Sequence, residues 1–179
     1  MQQGITKNKE RILSNITLKN ILKILNAIVI STMAFLFLVS CTSLKSVENH
    51  SLIIYNNEGE KIISYPLKTN DYFSIEFIHS VNKSPVVEYY KFDNNNNIYV
   101  YKTIYYNFGA GVPTELNRNE VMSYGEDGSI IIDNIDKKID NLTYYLSSIY
   151  DHILKINDGE SISLWEVCGK NMLISIKVL

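Results

Sequence analysis

Residues 72–107 read Y-F-S-I-E-F-I-H-S-V-N-K-S-P-V-V-E-Y-Y-K-F-D-N-N-N-N-I-Y-V-Y-K-T-I-Y-Y-N. Three runs rich in aromatic and β-branched residues are separated by N-K-S-P at 82–85 and by D-N-N-N-N at 93–97. Runs of that composition, bounded by Asn, Pro and Asp, specify antiparallel strands joined by turns. Centring the first turn on Lys83 and Ser84 makes Phe77 face Tyr90, Ile75 face Phe92 and His79 face Glu88 on one side of the sheet. On the other side Glu76 faces Lys91, Ile78 faces Tyr89 and Ser80 faces Val87. The first face is almost wholly apolar, and a one-residue slip would mix the two sets. Centring the second turn on Asn95 sets Tyr90 against Val100 and Glu88 against Lys102, so His79, Glu88 and Lys102 are expected in one row across three strands.

Working outward, the third strand, Ile98–Asn107, ends in F-G-A-G-V-P-T at 108–114. Gly109 and Gly111 permit positive φ and Pro113 fixes its own, which makes a sharp corner there. Glu115–Gly128 reads as an exposed loop and Ser129–Ile132 as a short strand. In 134–140, Ile135 and Ile139 share a side at helical spacing, so one helical turn is expected. Strand character returns at Leu142–Ile149, His152–Ile156, Ser161–Cys168 and Met172–Leu179, with N-D-G-E at 157–160 as a hairpin turn. Upstream, Leu52–Tyr55 and Lys61–Pro66 flank the turn N-N-E-G-E. Many short strands at this spacing predict an all-β fold, an antiparallel β-sandwich or a partly open β-barrel of short hairpin-connected strands.

The N-terminus carries a different signal. Lys7, Lys9, Arg11, Lys19 and Lys23 precede an uncharged apolar stretch, residues 24–39, in the order of an export signal. At 16 residues that stretch is shorter than the roughly 20 a spanning helix needs. L-V-S-C at Leu38–Cys41 looks like the lipobox of bacterial lipoproteins, which implies cleavage before Cys41 and a lipid on its sulfur. The expected organisation is a signal peptide with lipobox at 1–40, a lipidated tether at 41–50 and a β-rich domain at 51–179. The alternative is an uncleaved signal anchor in which Cys41 is incidental. Both leave the domain at the outer face of a cell membrane.

Of the 17 basic and 19 acidic residues, five basic ones and Glu10 lie in the first 41, leaving 12 and 18 beyond, a net charge of −6 with His neutral. An acidic exported domain is a poor partner for nucleic acid. The only cysteines are Cys41 and Cys168, so a lipid on Cys41 leaves Cys168 without an intramolecular partner, most simply as a small buried hydrophobe.

H-S-V-N-K-S-P-V-V-E at 79–88, followed by G-A-G-V-P at 109–113 and by His152 and Leu154, resembles a bacterial extracytoplasmic family catalogued as domain of unknown function 1850. The resemblance extends over residues 51–179. The family motif falls on His79, Ser80, Val81, Lys83, Ser84, Pro85, Val86 and Glu88, then on Gly109, Ala110, Gly111 and Pro113. Members are often encoded beside tripartite ATP-independent transporters that use TAXI-type solute receptors. The resemblance therefore implies a non-enzymatic accessory or binding subunit, with a transporter component or solute receptor as partner, and brings no activity or cofactor.

For His79 and Glu88 several readings fit: an imidazole and a carboxylate satisfying each other at the core edge, or a binding site at the hairpin tip. In the second, Lys83, Lys102 or the amides of Gly109–Gly111 would complete an anion-friendly pocket. An extracytoplasmic enzyme or metal-binding protein using His79 and Glu88, with His152 as a further ligand, is the alternative class. Ser80 adjoins His79, but neighbouring strand residues point to opposite faces, which disfavours a nucleophilic dyad. No phosphate loop, dinucleotide fingerprint, CxxC or HExxH occurs.

Overall fold

A computed structural model describes residues 20, 23, 25–33, 50–109 and 111–179. Residues 25–33 are helical, with Leu25, Ile28, Val29, Ile30 and Met33 exposed. Among the described residues, no helix is long and apolar enough to cross a membrane. The lipobox with Cys41, and the tether short of His50, lie outside the described residues. Contacts divide the chain into Met1–Ser46 and Val47–Leu179, and the strands of the described residues lie in the second unit.

Those strands form two antiparallel sheets. The smaller joins β2 (Lys61–Leu67), β1 (His50–Tyr55), β11 (Met172–Val178) and β8 (Leu142–Leu146) in that order. The larger runs β10 (Ile162–Ser163), β9 (Ile153–Ile156), β3 (Tyr72–Ile78), β4 (Pro85–Phe92), β5 (Ile98–Tyr105), β7 (Ile130–Ile139) and β6 (Val121–Tyr124). Neither closes on itself, so the fold is an all-β sandwich. Phe73, Ile75, Tyr90 and Leu154 from one sheet meet Leu52, Ile54, Leu146 and Ile174 from the other in one buried core. Burying each such apolar side chain contributes about 1.5–3 kcal/mol, enough for the interior to hold the sheets together without a crosslink.

The two faces of β3 and β4 are those expected, but the register is not. Phe73 pairs with Tyr90, Ile75 with Glu88 and Ile78 with Pro85, a shift of four residues from the Phe77–Tyr90 pairing. The shift is even, so every side chain keeps its face. Its cause is a turn of four residues, Ser80–Lys83, closed by His79 N–H donating to Ser84 O and Lys83 N–H to His79 O. Lys83 supplies the left-handed residue (φ 52°) that such a loop needs. Pro85, which has no N–H to give a ladder, stands at the first position of β4.

On the next strand the pairing Tyr90–Val100 is as expected. A bulge at Tyr101 then sets Tyr89 against Lys102 and Glu88 against Thr103. The expected row of His79, Glu88 and Lys102 does not form. At the same level β7 bulges, with Asn134 (φ 59°) and Asp136 (φ 49°) left-handed, so 134–139 continues a strand where the Ile135/Ile139 spacing predicts a helical turn. Short polar side chains tolerate that conformation. The segment read as a loop, 115–128, contains β6, paired to β7 with Met122 opposite Ile132.

The run read as a strand at 161–168 is only a two-residue strand followed by a helix, Leu164–Cys168. Ser163 caps that helix by accepting from Glu166 N–H, and Gly169 (φ 97°) ends it. S-L-W-E at 163–166, followed three residues on by Gly169, is the capping signature of a helix, and here it outweighs period-two apolarity. Cys168 is half-buried at the end of this helix rather than in a strand, and burial raises its thiol pKa.

Candidate functional site

The motif residues assemble at one end of the larger sheet and along its inner face. At the β3–β4 tip, His79 Nδ1 accepts from the backbone N–H groups of Val81 and Asn82 at 3.3 and 3.5 Å, so this ring nitrogen is spent on shaping the turn. The loop after β5 returns against the tip, with Tyr106 N–H donating to Pro85 O at 3.1 Å. Gly109 and Gly111 are the contact points: a Cβ on Gly109 would lie 2.7 Å from Asn82 Oδ1, and one on Gly111 3.1 Å from His79 Nε2. Both glycines also have positive φ, 144° and 95°. The two sequence motifs therefore form one interlocked structure, and His79 is its spacer.

Glu88 is not part of that tip. Its partner across the ladder is Ile75, four residues before His79, or roughly 13 Å at about 3.3 Å per residue. Its Oε2 accepts instead from Tyr90 Oη at 2.7 Å and from Tyr144 Oη of the opposite sheet at 2.5 Å. The two hydroxyl oxygens are 2.6 Å apart. Burial first, and then the neighbouring negative charge or phenol, pushes both tyrosine pKa values well up, so each phenol keeps its proton for donation. The expected His79–Glu88 pair therefore does not form; Glu88 is held instead by two tyrosines, one from each sheet.

His152 completes the inner cluster. Its ring stacks on Phe77 (5.8 Å, 17°) and meets Tyr144 edge-on (5.5 Å). It is 9% exposed, Nδ1 is buried without a hydrogen-bond partner, and burial lowers its pKa. Tyr144 stands between His152 and Glu88, and among the described residues no group of three or more His, Cys, Asp or Glu is placed to hold a metal ion. Lys102, turned by the bulge to the outer face, sets its ammonium 4.1 Å above the Tyr89 ring. Ser80 and Lys83 are exposed at the tip.

The larger sheet outruns the smaller one beyond β4. There segment 111–120 replaces the opposing sheet, leaving a cleft of about 270 Å³ over β5 and β7. Val100, Thr103 and Ile132, all buried, form its floor, while Glu88 and Gly111 stand in its wall and Glu120 and Lys137 on its rim. Of the candidate residues, the structure brings Glu88 and Gly111 to this cleft, His79, Ser80, Lys83 and Gly109 to the tip, and Lys102 and His152 to neither. Tyr144 and Thr103 have no signal in the sequence, because both act through contacts between segments far apart in the chain.

The class these features define is that of a small two-sheet all-β sandwich domain. More particularly, the chain belongs to the family described as Domain of unknown function (DUF1850), whose model matches residues 73–164, just over half of the chain. That span contains His79, Glu88, the glycine corner and His152. No curated protein and no solved structure matches the chain.

Proposed function

We propose that this protein is an extracytoplasmic lipoprotein, anchored through Cys41 at the outer face of a cell membrane, that serves as a non-enzymatic accessory subunit of a TAXI-type tripartite transporter. The observation that carries the reading is the unequal character of the two ends of the domain. The chain enters at His50, which contacts Asn96 and Phe92 beside the Asn-rich turn. The opposite end presents Val81, Phe108 and Ile149, the most exposed large hydrophobic side chains of the domain at 68, 67 and 72%. They sit on three loops side by side: the β3–β4 tip, the loop after β5, and the β8–β9 loop, whose His152 stacks on Phe77. Exposed apolar groups gathered from several loops at one end favour a docking role.

A docking role also suits the chemistry of the candidate residues. His79 is committed to its turn and Glu88 to its two tyrosines, so neither has the other as an acid–base partner.

The test is co-purification of the full chain from its native membrane in mild detergent. Recovery of a transporter subunit or solute receptor, reduced at least about tenfold by Val81→Asp with Phe108→Asp but not by a control at the other end such as Asn95→Asp, is the expected result. Failure of the unaltered protein to bring down either partner would sink the reading. Cys41→Ser is expected to leave the protein unlipidated and, if the signal is still cleaved, released from the membrane.

A further inference from the structure

We infer that the cleft beside Glu88 is a binding site for a compact organic ammonium ion, a small amine carried on an apolar body. The inference is independent of the tether and of the docking role.

Glu88 is positioned as an anchor rather than as a surface charge. One carboxylate oxygen, Oε2, is fixed by Tyr90 and Tyr144. The other, Oε1, accepts from no described residue and is not among the buried unpaired atoms, so it remains open. Among the described residues no cation lies within 4 Å of this carboxylate. The charge is thus held in a defined direction without a counter-ion, which is how binding clefts place their few orienting groups.

The surroundings select the ligand. Glu88, Glu115 and Glu120 stand against the single ammonium of Lys137 in the lining of this cleft, which favours a cation over an anion here. Lys137 is a minor contributor to the lowered carboxyl pKa of Glu120, after the larger effect of Asn117. With only one oxygen free, Glu88 suits the point charge of an ammonium and not the two-pronged fork of a guanidinium. Val100, Ile132 and Ile135 offer apolar contact for the body of the ligand, and Thr103 and Tyr105 hydroxyls stand beside the carboxylate on the same floor. A volume of about 270 Å³ falls just below the usual range of about 300–1,000 Å³, so the ligand is small.

The experiment is calorimetric titration of the full chain in detergent with 2-phenylethylammonium and n-butylammonium, and with butyrate as the anionic control. Saturable binding of at least one amine and none of butyrate is expected. Glu88→Gln, which keeps an acceptor but removes the charge, should weaken binding at least about tenfold. Because that variant also touches the tyrosine cluster, Ile135→Trp, which adds bulk to the cleft lining at a residue with no hydrogen bond to Glu88, should abolish binding while unfolding remains cooperative. Absence of saturation by either amine up to about 10 mM, which corresponds to a free energy weaker than about −3 kcal/mol, overturns the site. Equal affinity in the folded Glu88→Gln protein overturns it as well.

Discussion

Glu88, Tyr90 and Tyr144 share two phenolic protons and one negative charge among three oxygens within 2.7 Å of one another. Hydrogen bonds to a charged group contribute more than neutral ones, so Tyr144→Phe should cost about 1.5–3 kcal/mol of stability, read as a lower urea midpoint with an unchanged slope. Such a loss also measures how firmly the cluster joins the sheets, since Tyr144 and Glu88 come from different ones. His152 gives a second expectation with a definite sign. Burial depresses its pKa in the folded protein, so below the unfolded value of about 6.5 the unfolded chain takes up the proton more readily. Stability is therefore lost as pH falls from about 6.5 towards the depressed folded value. His152→Phe, which keeps a ring against Phe77, should flatten that part of the pH–stability curve. An unchanged slope between pH 7 and 5 would show that other groups set it.

Among the elements, the β3–β4 tip and the glycine corner behave as one unit because Gly111 leaves room for the His79 ring. Gly111→Ala should destabilise by about 1–3 kcal/mol, since an alanine at φ 95° is strained and its Cβ would press on Nε2 at 3.1 Å. Combining it with His79→Ala should recover only the steric part, so a double-mutant cycle measured by denaturation is expected to show coupling. The bulge at Tyr101 explains a contrasting expectation. Lys102 lies over Tyr89 on the outer face, so Lys102→Ala should cost at most about 1 kcal/mol and leave amine binding unchanged. Neither bulge is announced in the sequence: Y-V-Y-K-T-I-Y reads as a regularly alternating strand, and D-N-I-D-K-K-I as a helical turn. The helix at Leu164–Cys168 is the opposite case, with Ser163, Glu166 and Gly169 marking its ends plainly while alternating apolar residues suggest a strand.

For the molecule as a whole, the second unit carries its own buried core, and its one cysteine, Cys168, is free. Residues 47–179 expressed alone should unfold in a single cooperative transition whose midpoint is the same with and without a thiol reductant; a reductant-dependent midpoint would contradict a fold held by packing alone. Alternation of apolar and polar residues was enough to determine that this chain makes antiparallel strands, which faces of β3 and β4 turn inward, and that G-A-G-V-P makes a corner. Those properties are local, because side-chain period, turn preference and glycine conformation act within a few residues. The partners of Glu88 and His79 were decided only by tertiary structure: Glu88 meets Tyr144 across 56 positions of chain, and His79 meets Gly111 across a loop. A turn four residues long instead of two shifts the β3–β4 pairing while keeping each side chain on its face, and one extra residue at Tyr101 reassigns the β4–β5 pairs beyond it and turns Lys102 to the outer face. The cleft beside Glu88 exists for a reason no single segment contains: seven strands face four, and the uncovered inner face is closed by a loop.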